Sequence, residues 1–301
     1  MTLQTLVAAA EPLVPPRPRS EIFRRVVLYA ALVAICLLFF TPFVWTISTS
    51  FKTLPDTVNF NLIPHPFTTE AWKNVWTQYD FKRFALNSAG LALVITLLNL
   101  SLSALGGYAF ARLQFPGREL LFLLVLGTLM IPDQLRLIPV FVLLTKWHLI
   151  GSQTLIGALP RGFAGYILIN LVTAVNLFFM RQYFLTIPKD FEEAAKLDGA
   201  GYFKTFWRVM LPLAGPAIAA LAILQFQGTW NDFFWPLILF GQGNPSHYTL
   251  QLGLATLHQQ YTSLWPQIAA GSIIAILPVL VIFLAFQRYF VSGTVSAGVK
   301  G

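Results

Sequence analysis

The chain has 301 residues, 56% hydrophobic, 15% aromatic and only 11% charged, with a mean hydropathy of +0.67. Soluble domains carry about 25% charged residues, so this composition excludes a soluble globular enzyme and points to a polytopic membrane protein. No basic run with interleaved aromatics lies behind the net charge of +8, which excludes nucleic acid as a partner, and one cysteine excludes a disulfide framework or a cysteine metal site.

Residues 1–25 hold Pro12, Pro15, Pro16 and Pro18, and no small-residue cleavage site follows the next apolar run. They read as a cytoplasmic tail rather than a cleaved signal. The apolar run 26–47 is long enough to span a bilayer and carries Cys36 as a packing residue. Loop 49–83 has three prolines and the aromatics Phe67, Trp72, Trp76 and Tyr79. A short interfacial helix is expected over 69–78, capped by Thr68 or Thr69.

A second uncharged span covers 84–110. It ends in LGGYAFARLQFPGR, where Gly106 and Gly107 permit close helix approach and Pro116-Gly117 makes a turn. Span three, 120–144, is interrupted by Pro132, Asp133 and Arg136, and the two charges are spaced to pair along a helix. Span four is expected over 162–180.

Residues 187–216 form the most polar long segment between two strongly apolar ones. The pattern predicts two short helices joined at a glycine. Thr186 caps the first and Pro188 suits its first turn. Asp190, Glu192 and Glu193 sit near its N-terminus, where the helix dipole favours negative charge. Gly199 takes the left-handed conformation that ends it. The second helix presents Tyr202, Phe203, Phe206, Trp207, Val209 and Met210 as an apolar face.

Span five runs over 213–239 with Asn231 and Asp232 inside it. A charge there is costly, so these two either lie on a solute pathway or anchor neighbouring helices. Asn170, Asn176, Gln225 and Gln227 pose the same choice: amides match sugar hydroxyls, but they also hold membrane helices together. Span six covers 265–286, and residues 292–301 read as a small cytoplasmic tail. His65, His148, His247 and His258 show no metal-ligand spacing.

With the N-terminus inside, thirteen Lys and Arg fall in inner segments. Six fall outside: Lys52, Lys73, Lys82, Arg83, Lys146 and Arg161. This bias puts both termini and loop 181–213 in the cytoplasm.

Glu193, Ala194, Ala195, Gly199, Val209, Leu211 and Pro212 stand in a register that resembles the EAA loop of ABC importer permeases. Only Val209, where isoleucine is usual, departs from it, and Asp198 and Ala200 extend the match. The stretches LGGYAFARLQFPGR, MIPDQLRLIPV, WNDFFWPL and FQRYFVSGTVSAGVKG resemble the carbohydrate uptake group of these permeases. The resemblance covers about 85–301, and the first 80 residues match in layout alone.

This resemblance implies an all-α integral membrane protein of six transmembrane helices with the type I ABC importer permease fold. The permease domain would span 26–291, with Glu193 to Ala195, Asp198 to Ala200 and Pro212 in a coupling loop that docks on an ATPase. It also implies a second homologous permease, two ATPase subunits, an extracytoplasmic solute-binding protein and a carbohydrate substrate at a bacterial or archaeal cytoplasmic membrane. No cofactor is expected, and the absence of a Gly-Lys-Ser/Thr loop places ATP hydrolysis on other subunits. The alternatives are an ATP-independent transporter or channel, and an ABC permease for a non-sugar solute such as glycerol phosphate.

Overall fold

The computed structural model describes residues 19–156, 159–258 and 263–298. The expected N-terminal tail lies outside them up to residue 18. α1, Arg19–Thr49, is the first span. Its apolar stretch is wholly exposed in the single chain, and Cys36, expected to pack, is exposed too. A folded loop follows. Lys52 is buried there, donating to the carbonyls of Asn59 and Asn61 and resting over the Trp45 ring at 4.5 Å. The expected interfacial helix is α2, Glu70–Thr77, and Thr68 Oγ1 accepts from the Glu70 amide at 3.1 Å.

α3, Phe81–Arg112, is the central mast. Span three is not one rod. α4, Arg118–Thr128, and α5, Asp133–Lys146, meet at 102°. Pro132 lies at the junction in an extended conformation, which ends the first helix. A two-stranded ribbon, β1 Thr154–Ile156 with β2 Leu159–Pro160, leads to span four. That span, expected as one helix, is α6 Arg161–Ile169 and α7 Ala174–Thr186, bent by 41°.

Three short helices follow: α8 Asp190–Leu197, α9 Tyr202–Thr205 and, beyond a π-helical turn over Phe206–Met210, α10 Leu211–Leu213. The widened turn sits directly before Pro212, which has no amide to return to the preceding turn. Span five is also broken. α11, Gly215–Asn231, leaves the preceding helical run at 75° and stops at Asp232; α12 is Phe234–Phe240. α13, Leu250–Thr256, and α14, Trp265–Gly298, complete the chain. The α14 backbone stays helical through residues 292–298, where a small flexible tail was expected. Among the described residues three helices are long and apolar enough to cross a membrane, and the bent pairs bring the total to six if each pair is one crossing.

The buried apolar side chains pack at both ends of α3. Tyr108, Met180, Phe184, Phe206 and Met210 pack at the end near the 181–213 loop. Phe81, Phe84, Trp230, Leu250 and Ala270 pack at the other end, with Leu91, Ile95, Tyr166 and Phe240 beside them. The α3–α7 contact is the most extensive between helices. A Cβ on Gly107 would stand 2.7 Å from the Met180 Cβ and 2.9 Å from the Arg181 amide nitrogen, so only glycine fits.

Gly107→Val therefore forces these helices apart. It is expected to destabilise the protein by about 1–3 kcal/mol, the usual cost of overpacking, read as a lower midpoint of thermal unfolding in detergent. An unchanged midpoint would show that the contact is not tight.

Candidate functional site

A buried arginine ties the 181–213 loop to the body. Arg112 ends α3, and its guanidinium Nη2 donates to the carbonyls of Phe184, at 2.6 Å, and Ile187. Its Nη1 lies 3.8 Å from Glu192 Oε2, with both side chains largely buried. The last carbonyls of α7 and the first turn of α8 are thus pinned to α3 by a single planar fork. Arg181 adds a second tie: Nε donates to the Phe110 carbonyl at 3.2 Å, Nη2 pairs with Glu119 at 3.2 Å, and the guanidinium covers Phe122 at 4.0 Å. A pocket of about 270 Å³ lies under the loop, lined by Tyr108, Arg112, Glu192, Lys196, Tyr202 and Thr205 among others.

The expected start of α8 needs correcting. Thr186 does not cap it; Thr186 is the last residue of α7, and its hydroxyl donates to the Tyr183 carbonyl at 2.7 Å. Ile187 is extended, as a residue before proline tends to be, so Pro188 precedes the helix and α8 begins at Asp190. Asp190, Glu192 and Glu193 do occupy its first turn. The glycine ending forms as expected: Gly199 has φ +75°, its amide donates to Lys196 and the Ala200 amide donates to Ala195, at 3.0 and 2.9 Å. This is a Schellman closure.

α8 is sharply two-sided. Ala195 is buried against the body, whereas Glu193, Ala194 and Asp198 are exposed. Leu197 is 90% exposed and Phe203 71%, with Phe191 and Tyr202 also uncovered. Pro212 is exposed at the far end of the loop. A protruding face of apolar tips around two carboxylates is suited to docking in a groove.

The five amides expected on a solute pathway fall into two groups. Asn170, Asn176 and Gln225 are joined by Asn99, which sequence reading had passed over. Asn176 Nδ2 donates to Asn99 Oδ1 at 2.7 Å and to Gln225 Oε1 at 2.8 Å, and Gln225 donates on to Thr229 at 3.2 Å. Asn99 Nδ2 donates to the Asn170 carbonyl at 2.8 Å, at the break of span four. The Asn170 amide donates to the Tyr166 carbonyl at 3.0 Å. Asn231 and Gln227 instead line an open groove of about 570 Å³ between α1, α11, α13 and α14. Gln251, also not foreseen, donates to Asn231 there at 3.3 Å.

Asp232, expected inside a continuous span, marks the break of span five. Its carboxylate accepts from the Phe234 amide at 3.0 Å and from the Tyr166 hydroxyl at 2.8 Å. Among the described residues no group of three His, Cys, Asp or Glu could hold a metal ion.

Residues 102–295 match the family described as binding-protein-dependent transport system inner membrane component. The chain belongs to this family. The permease is 42% identical over 221 residues to the arabinooligosaccharides transport system permease protein AraQ of Bacillus subtilis, covering 73% of this chain and 74% of that one. It is 31% identical over 286 residues to the trehalose/maltose transport system permease protein MalG of Thermococcus litoralis, covering 94% and 99%. Against the diacetylchitobiose uptake system permease protein NgcG of Streptomyces coelicolor the figures are 31% over 276 residues, 90% and 87%. Its fold matches a chain of a bacterial ABC transporter involved in the import of the acidic polysaccharide alginate, with TM-score 0.78, 23% identity and coverage of 92% and 100%. The permease is thus a multi-pass membrane protein with the ABC importer permease fold.

Removing the Arg112 fork leaves Glu192 largely buried without its cation. Arg112→Met is expected to destabilise the loop by about 3 kcal/mol, seen as faster hydrogen exchange of amides 184–195 with the span cores unaffected. Unaltered exchange in that segment would show that the fork is not what holds the loop.

Proposed function

We propose that this permease moves a saccharide or saccharide derivative across the cytoplasmic membrane of a bacterium or archaeon. It works with a second homologous permease, two ATPase subunits and an extracytoplasmic solute-binding protein. The observation that carries the reading is the exposed face of α8, closed by the left-handed Gly199 and clamped to the span ends by Arg112. The surplus of Lys and Arg in inner segments supports a cytoplasmic position for this loop and for both termini.

ATP hydrolysis belongs to the partner subunits, and α8 passes their motion on. Glu193 and Asp198 offer charge at the rim of the docking face. Ala194 leaves room for a groove wall to approach the backbone, and Ala195 keeps α8 close to the permease body. Gly199, Ala200 and Pro212 set the angles of the loop. Closure of the ATPases then displaces α7 and α3 together, because Arg112 joins both to α8. Such a displacement switches the solute passage between its two faces. Gln227 and Asn231 contribute hydroxyl-matching amides to that passage. Asn170, Asn176 and Gln225 act on it indirectly, through the network that holds spans two, four and five.

A saccharide is favoured over glycerol phosphate because the relatives with saccharide names reach 42% identity, while the sn-glycerol-3-phosphate transport permease protein UgpE of Yersinia pestis stands at 30% over 242 residues. The complete complex in vesicles should take up a labelled oligosaccharide only with ATP and its binding protein. Uptake by this polypeptide alone would sink the proposal.

A Cβ on Gly199 would meet nothing within 4 Å, so its substitution acts through backbone conformation alone. Gly199→Val is expected to cost roughly 1–2 kcal/mol in the left-handed region and to turn α8 off its docking angle. The expected result is normal insertion and assembly, continued ATP hydrolysis and little uptake. Full coupled uptake by this variant would remove Gly199 from the mechanism.

A further inference from the structure

α4 has eleven residues, so the break after it stands about 16 Å along the helix axis from Arg118, roughly half of a bilayer's hydrocarbon depth. Arg118 itself is fixed at the inner end, bonded to Glu119, which pairs with Arg181 at the foot of span four. The 129–136 segment therefore lies deep in the membrane. It is also bare. Met130 is 85% exposed and Leu135 70%, and the side chains of Asp133 and Arg136 are 62% and 48% exposed while bonded to each other.

Non-helical backbone at this depth is tolerated only where protein covers it or water reaches it, and an ion pair facing lipid is costlier still. Span five is broken as well, at Asp232. Asn231, Phe233 and Phe234 are exposed at that second break. Each of two broken spans thus exposes polar groups, a carboxylate and a guanidinium at one and an amide with aromatic rings at the other, as discontinuous helices do where a transporter handles its solute.

We propose that the broken midpoint of span three lines the water-filled translocation passage, and that its Asp133–Arg136 pair hydrogen-bonds the hydroxyls of the saccharide in transit. A guanidinium and a carboxylate side by side match a vicinal diol, one donating and the other accepting. The pair is neutral in sum, so it takes an uncharged sugar without trapping it. The saccharide part of this inference rests on the function proposed above; the aqueous part does not.

The test uses the whole complex in proteoliposomes, with this chain in a Cys36→Ser background so that it carries no native thiol, and labelling is read on this chain. Asp133→Cys and Arg136→Cys are each treated on both faces with a charged, membrane-impermeant methanethiosulfonate. Leu37→Cys, on the bare apolar face of α1, is the lipid-facing control. Assembly of each variant with its partner subunits is checked by co-purification. The expected result is rapid labelling at 133 and 136, little at 37, and protection by maltose or an arabino-oligosaccharide, whichever the wild-type complex moves. Arg136→Met should lower uptake at limiting sugar roughly tenfold, the size of one hydrogen bond to a charged group, with binding-protein affinity unchanged. Absence of labelling at both positions overturns the proposal and makes the break a dry contact with the second permease. Labelling that neither sugar slows, or uptake unaffected in Arg136→Met, overturns the sugar contact. A wild-type complex that moves no saccharide sinks the substrate reading instead, and the labelling alone still decides whether water reaches the break.

Discussion

A chain crossing hydrocarbon must satisfy its backbone amides and carbonyls from within, because the solvent offers nothing. Straight helices do this automatically, and α3 is one. Three of the other crossings are bent pairs, and each bend frees groups that need a partner. At span four the partner is Asn99, whose amide reaches the Asn170 carbonyl. Span five bends at Ala214 and is interrupted again after α11, where the Asp232 carboxylate takes up the Phe234 amide and is itself held by Tyr166. The polar residues of this apolar protein are therefore concentrated where its helices change direction.

These repairs tie the crossings to one another. Asn99 is on the central mast, Asn176 on α7 and Gln225 on α11, so one chain of amides runs through all three. Such bonds between membrane helices contribute only about 1 kcal/mol each. Their greater effect is on register: an amide that misses its partner is left in hydrocarbon, so the helices can slide only in discrete steps. The Gly107–Met180 contact adds a steric stop on the same pair of helices.

The crossings were legible in composition because hydropathy reports length and charge. It does not report direction, so the 102° and 41° bends were invisible, even though Pro132 and Asp133 flagged the first as an interruption. Gly199 was readable because its closure is local, spanning Ala195 to Ala200. Thr186 was misread for an equally local reason: the restriction that Pro188 places on Ile187 outweighed a favourable capping residue. The Arg112–Glu192 and Tyr166–Asp232 contacts join residues 80 and 66 positions apart, and nothing local marks either pair. Asn99 was an unread signal that could have been found, an amide in the middle of the uncharged second span.

The placement of these ties favours a lever over a flexible relay. α7 carries Asn176 near its start and ends at Phe184 and Ile187, the two carbonyls that Arg112 grips. α3 carries Asn99 and Arg112 at matching heights. The two helices are thus cross-linked at the amide network, at the glycine contact and at the arginine fork, with apolar packing between. A displacement applied to α8 has no compliant joint to dissipate it before the break at Asn170. Beyond that break α6 packs against α12, which begins at the Asp232 anchor. The bend of span four therefore separates a cross-linked unit on the loop side from the unit beyond it, with Asn99 at the junction. Under the function proposed above, motion of the loop would become a change of angle at that break.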